Sequence, residues 1–235
     1  MKIILLGDIH GNLPALEVAL REARAEGYDL ICHTGDLIGF APFPDETVQR
    51  VRGERIPGVR GDVDDSLVAG LDDLGPASRD PAGHAFEEKA YAWTLEHTSP
   101  VSLGYLGNLP FELRLDAGGR RALLVHASPI DARICLWEDR DEEFFREMGE
   151  AAEADILLFG HTHRPYHRIV DGRHFINAGS VGYPQDHDAR TGYVVVQTNG
   201  NVEVQYRRFP YDTARLLTVA AARRFPAEAA RRFGA

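Results

Sequence analysis

Cysteine is scarce. Cys32 and Cys135 are the only two in 235 residues and lie in different segments, one in an apolar run and one between Ile134 and Leu136. That argues against a disulfide and for two buried, reduced thiols. No hydrophobic run is long enough to span a membrane, and the apolar stretch at residues 2–6 is too short for a signal peptide and has no cleavage-like region. There is no internal repeat, low-complexity block or linker, so a single cytoplasmic domain over residues 1–235 is expected. Positive charge is also in deficit, with 26 basic against 36 acidic residues and a net charge of −10. Such a field repels phosphate backbones and anionic membrane surfaces, which disfavours a nucleic acid or membrane partner but leaves a nucleotide open. A phosphate substrate would need a locally positive trap, and bound metal ions would provide one.

What is present is enough apolar material for one sizeable core, at 44% of residues. Residues 3–6 read as a buried strand. A helix over 13–26 follows, capped by Asn12 and ended by Gly27. A strand at 30–33, a helix at 45–52 and a third strand at 56–59 complete an opening of βαβ character. Sites in such sheets form on loops leaving the carboxyl ends of strands. Residues 85–97 read as a helix and 104–110 as irregular. Residues 111–115 and 122–125 pair across a Gly118-Gly119 turn, 141–152 is a helix and 155–159 a strand. The last third turns to hairpins at Asp171-Gly172 and Asn199-Gly200, then to a helical appendage over 211–235 split by Pro226. In that tail Arg215, Arg223, Arg224, Arg231 and Arg232 face Asp212 and Glu228, a balance of +3. A packed terminal helix is the first reading of the tail, and contact with a second copy of the chain the alternative.

Three times in the first third an expected strand runs into Gly-Asp: Gly7-Asp8-Ile9-His10, Gly35-Asp36 and Gly61-Asp62. Val125-His126 and Gly160-His161-Thr162-His163 follow at later strand ends. A lone Gly-Asp is usually a turn, and a lone His after a strand is usually packed. Five such pieces converging from strand ends make a metal site, because Asp-x-His and His-x-His each put two ligands on one turn.

The order of these motifs resembles that of the calcineurin-like metallophosphoesterase superfamily, in particular its small bacterial phosphoesterases. Gly35 to Pro44 and the Asn177 to Gly182 run resemble further motifs of that branch. The resemblance implies an α/β fold, a four-layer α/β/β/α sandwich with metals at one edge. It also implies hydrolysis of phosphate mono- or diesters by hydroxide activated between two divalent ions. Asp8, His10 and His163 would hold the first ion, Asp62, His126 and His161 the second, and Asp36 both. Arg60 matches a phosphate-contacting arginine in some relatives, and Asp64 an acidic residue that orients a histidine. Manganese is the expected metal, with iron, zinc, nickel and cobalt as alternatives. A small phosphate ester is the expected substrate. Protein phosphatase, dinucleoside polyphosphate hydrolase and non-catalytic scaffold are the alternative functions.

Two positions depart from the family pattern. Asp62 replaces an asparagine, and Val63 replaces the histidine that protonates the leaving oxygen. Asp62 adds a negative charge, which tightens metal binding and weakens polarisation of phosphate. Val63 can donate no proton, and His84, His187 or Asp65 are the candidate substitutes.

Overall fold

Along the first strand the side chains alternate between two covered faces: Ile3 and Leu5 turn one way, Ile4 and Leu6 the other, and all four are fully buried. A strand buried on both faces needs a layer on each side. The computed structural model describes residues 1–71 and 81–234. Its strands are β1 (Lys2–Leu6), β2 (Leu30–His33), β3 (Glu112–Asp116), β4 (Arg121–Val125), β5 (Ile156–Phe159), β6 (Tyr166–Val170), β7 (Arg173–Asn177), β8 (Thr191–Gln197) and β9 (Glu203–Phe209). Its helices are α1 (Leu13–Glu26), α2 (Pro44–Glu54), α3 (Asp62–Ala69), α4 (Pro81–His97), α5 (Pro100–Gly107), α6 (Glu142–Ala152), α7 (Thr213–Ala222) and α8 (Ala229–Phe233). No helix among the described residues is long and apolar enough to cross a membrane.

The strands form two sheets, ordered β2-β1-β8-β9 and β3-β4-β5-β7-β6. Three apolar layers separate the elements. Ile3, Leu5, Val194 and Val196 of the first sheet meet Leu124, Ile156, Leu158 and Ile176 of the second. The opposite face of the first sheet, Ile4, Leu6 and Val195, packs under Leu16 and Leu20 of α1 and Leu216 of α7. The outer face of the second sheet, Leu123, Leu157 and Phe175, packs on Phe145 and Met148 of α6. The order is helix, sheet, sheet, helix, as the motif resemblance implies.

Asn12 starts α1, its Oδ1 accepting from Ala15 N at 3.2 Å. The tail after β9 docks through Phe225 and Phe233, whose rings meet Phe86 of α4 at 6.2 Å each. Arg215 pairs with Glu17, and Arg223 with Glu46, so tail arginines grip the acidic body of their own chain.

Four expectations change. Residues 56–59 form no strand, because only the His33–Gly58 bridge joins that stretch to β2. The first βαβ unit, β1-α1-β2, is parallel, but β1 pairs with β8 antiparallel on its other side. Residues 104–110, read as irregular, include the end of α5: Ser99 caps it by accepting from Ser102 N at 3.3 Å, and Pro100 opens it. Cys32 is buried, but Cys135 is only partly so.

Candidate metal centre

Asp8 follows β1, Asp36 follows β2, His126 follows β4, and His161 and His163 follow β5, so loops at the carboxyl ends of four strands meet at one edge of the sandwich. Asp62 arrives differently, as the first residue of α3 after irregular chain. All seven candidate ligands are buried.

They form two triads, Asp8-His10-His163 and Asp62-His126-His161. In the first, His10 Nε2 lies 2.9 Å from His163 Nε2, which is 3.3 Å from Asp8 Oδ2. In the second, Asp62 Oδ1 lies 2.8 Å from His126 Nε2 and 3.2 Å from His161 Nδ1, and the two nitrogens are 3.1 Å apart. Ligand atoms spaced ~3 Å around one point fit the edges of a polyhedron with bonds of about 2.1 Å. Asp36 joins the triads. Its Oδ2 is 3.6 Å from His10 Nε2 and 3.6 Å from His126 Nε2.

The surroundings fix which atoms face inward. His126 Nδ1 donates to Thr34 O at 2.8 Å, which turns its Nε2 lone pair to the centre. Asp8 accepts from Thr34 Oγ1 at 2.8 Å and from His161 N at 2.7 Å, and Ser180 Oγ donates to Asp8 O at 2.6 Å. Val63 N donates to the other Asp36 oxygen, Oδ1, at 3.0 Å. Asn177 Nδ2 donates to Gly160 O and to Thr162 Oγ1, both at 2.9 Å, so the Asn177 to Gly182 run braces the loops of Asp8 and His161. Asn177 and Ser180 fall in the run that resembles a family motif, whereas the bracing role of Thr34 carries no local sequence signal, since a hydroxyl near a loop is ordinarily read as a turn or cap.

Glycine serves close approach here more than turning. A Cβ on Gly61 would sit 1.9 Å from Asp36 Oδ1, and one on Gly160 would sit 2.4 Å from Asp8 Oδ1. The strain falls on the ligands themselves. His10 (φ 50), Asp36 (φ 49), His161 (φ 65) and His163 (φ 56) hold left-handed backbone, which costs a side-chain-bearing residue ~1–2 kcal/mol each.

Electrostatics separates the two halves of the centre. Burial and the charge of His126 push His10 down to about 3, and burial with the charge of His10 holds His163 well below the usual range. Those two rings are neutral and offer lone pairs. Burial opposes charge on His126 and His161 as well, but Asp62 outweighs it, raising them to about 9 and about 10, with a Cys135 hydrogen bond also raising His161. Burial and the charges of Asp62, Asp64 and Asp8 drive Asp36 well up.

The remaining sequence candidates lie around this centre. Asp64 is buried and accepts from Leu37 N at 3.0 Å and Gly61 N at 3.3 Å, tying the second Gly-Asp loop to the third. The Arg60 guanidinium is held by Asp65 at 2.9 Å, Gly107 O at 2.6 Å and Leu109 O at 3.2 Å, over the Phe111 ring. Val63 is buried in the apolar layer under α1 and α2. His84 faces Glu88 on α4, and His187 lines a separate cavity, while Asp65 lines the same groove as Asp62. That groove, about 470 Å³, is walled by Asp62, His126, Phe111, Ile130 and Arg133, with Phe111 and Ile130 exposed at its rim. Cys135, expected from the sequence as a buried, reduced thiol, is partly exposed and bonds to His161.

The sequence matches the calcineurin-like phosphoesterase superfamily domain over residues 1–201. An uncharacterised protein of Methanocaldococcus jannaschii is 25% identical over 227 residues, 89% of this chain and 88% of its own. A metallophosphoesterase from Sphaerobacter thermophilus superposes with a TM-score of 0.80 at 26% identity, over 100% of this chain and 98% of that one. Vps29 from Entamoeba histolytica, solved with Zn2+, shares the fold at a TM-score of 0.52 and 19% identity, over 88% and 99%. With its two Asp/His triads gathered at one edge of the sandwich, this chain belongs to the calcineurin-like phosphoesterase superfamily.

Proposed function

We propose that this chain hydrolyses phosphate mono- or diesters at a centre of two divalent cations. The observation that carries the reading is the position of Asp36 Oδ2, 3.6 Å from a histidine nitrogen of each triad. One carboxylate oxygen so placed suits a bridging ligand, with Asp8, His10 and His163 on one ion and Asp62, His126 and His161 on the other. When bound, two such ions supply a nucleophile at neutral pH and positive charge for the phosphate. The protein's own part is to hold and orient. Asp64 and Val63 N fix the Asp36 and Asp62 loops, and Thr34 fixes His126 and Asp8. The groove of Phe111, Ile130 and Arg133 takes the ester group. Arg60 reaches a phosphate only by exchanging its Asp65 partner for it. Manganese suits the three carboxylates best, with iron, zinc, nickel or cobalt also compatible with the imidazoles.

The test is metal analysis of the purified protein, followed by a screen of p-nitrophenyl phosphate and bis(p-nitrophenyl) phosphate with added manganese. Two ions per chain and hydrolysis that chelation abolishes and manganese restores are expected, and Asp36→Asn is expected to lose both. A protein that binds two ions and cleaves no phosphate ester would instead be a scaffold of the same fold.

A further inference from the structure

The groove beside the second triad has two of that triad's members, Asp62 and His126, in its own wall, so a molecule lying in it meets the candidate centre directly. Arg133 lines the same groove. Its guanidinium donates from Nη2 to Ser66 Oγ at 3.1 Å, and no carboxylate among the described residues pairs with it. The acids of the groove wall are spent elsewhere. Asp62 faces His126 and His161, Asp65 holds Arg60 at 2.9 Å, and Glu112 lies 3.4 Å from Arg114. Asp131 Oδ1 accepts from the backbone N of Arg133 at 2.7 Å, which closes its own loop. The two groove arginines therefore differ. Arg60 commits its donors to a carboxylate and two carbonyls, whereas Arg133 meets one neutral hydroxyl, which takes one of five N–H donors and none of the charge.

The position of this guanidinium follows from α3 and from the loop after β4. Asp62 and Ser66 are four residues apart on α3, so they share a face, with Cβ atoms about 5–6 Å apart. A guanidinium bonded to Ser66 thus stands about one helical turn from the Asp62 carboxylate. Ser66 is fully buried, which makes its hydroxyl a fixed post. The loop that leads from His126 to Arg133 is braced as well. Ser128 Oγ accepts from Ile130 N at 3.2 Å and Asp131 N at 3.0 Å, and it donates to Asp131 O at 2.8 Å. Guanidinium forks match phosphate oxygens in pairs. At neutral pH a phosphate monoester carries more negative charge than a diester, so a cation without an acidic partner favours the monoester.

We propose that Arg133 binds the phosphate of the substrate and selects monoesters over diesters, taking the part that the family resemblance gives to Arg60. The selectivity rests on the phosphoesterase reading above. Phosphate binding needs only the loaded centre and the arginine.

Two measurements separate these. The first is calorimetric titration of inorganic phosphate into manganese-loaded protein. Wild type is expected to bind phosphate, and Arg133→Ala about tenfold more weakly, for the loss of a charge-assisted contact. Arg133→Lys, which keeps the charge and loses the fork, is expected to fall between them. Metal analysis and thermal unfolding check that each variant is loaded and folded. No binding by wild type, binding undiminished in Arg133→Ala, or a larger loss in Arg60→Ala overturns the assignment. The second compares p-nitrophenyl phosphate with bis(p-nitrophenyl) phosphate. The ratio of kcat/KM for the monoester over the diester is expected to fall about tenfold in Arg133→Ala. An unchanged ratio overturns the selectivity. If wild type cleaves neither ester, the phosphoesterase reading fails with the selectivity, and the phosphate titration still decides Arg133.

Discussion

The backbone N–H of Val63 donates to Asp36 Oδ1 at 3.0 Å, which leaves Asp36 Oδ2 facing both triads. That bond is independent of the side chain at position 63. It depends instead on Gly61, where a Cβ would sit 1.9 Å from the same Oδ1 and 2.4 Å from Asp36 N. Gly61→Ala is expected to swing the carboxylate away. Metal affinity should fall about 10–100-fold, as for loss of a supporting contact. Metal analysis after gel filtration checks this, and an alanine variant that keeps two ions would show that Asp36 has room to spare.

Val63 carries no proton, and Asp64, spent on Leu37 N and Gly61 N, has no histidine to orient. Cleavage should therefore depend steeply on leaving-group acidity, with p-nitrophenyl esters hydrolysed far faster than alkyl phosphates. Equal rates would mean that another group protonates the leaving oxygen. Asp65 is then the first candidate, because it lines the groove with Asp62.

Asp62 Oδ1 lies within 3.2 Å of both His126 and His161 nitrogens, so its charge belongs to the second triad. Asp62→Asn keeps the shape and removes the charge. The second ion should bind more weakly, and the pair of ions should pull harder on the phosphate. In a manganese titration on one activated ester the variant should be slower at limiting metal and faster at saturation. Curves that never cross would assign Asp62 to proton transfer.

His33 offers a pH test away from the ligands. It is fully buried, its Nδ1 accepts from Gly35 N at 3.2 Å, and burial pushes its pKa from 6.5 to about 3. The unfolded chain binds this proton below pH 6.5, but the folded chain only below about 3. The contribution is thus complete above pH 6.5 and is lost as pH falls towards 3, by about 1.4 kcal/mol per pH unit. His33→Gln should make metal-free protein less sensitive to acid. Urea unfolding of both proteins at pH 7.5 and 4.5 should move their stability difference by about 2–3 kcal/mol in the variant's favour. A difference that ignores pH would mean that His33 takes up its proton while folded.

Much of this was legible in the sequence because the ligands sit where periodic apolar runs stop. The runs before Gly7, Gly35 and Gly160 are strands, and their ends point at the centre. The stretch before Gly61 misled, since Ile56 and Val59 are apolar and buried yet belong to a loop that touches β2 at one bridge. α5 was missed because Gly104, Gly107 and Pro110 read as turn residues, whereas the helix is set by its Ser99 cap and by packing on α3. What sequence order could not express is which loop leans on which: Thr34 on Asp8, Asn177 on Gly160, or Gly61 yielding space to Asp36.

The left-handed backbone of His10, Asp36, His161 and His163 has a consequence for engineering. Glycine would relax each of these positions and remove a ligand in the same step. A laboratory selection for heat resistance, scored on unfolding alone, would therefore be drawn to the ligand loops and return hardened, inert chains. Selecting with the metals bound removes that bias, because whatever holds the ions is then counted as part of what resists heat.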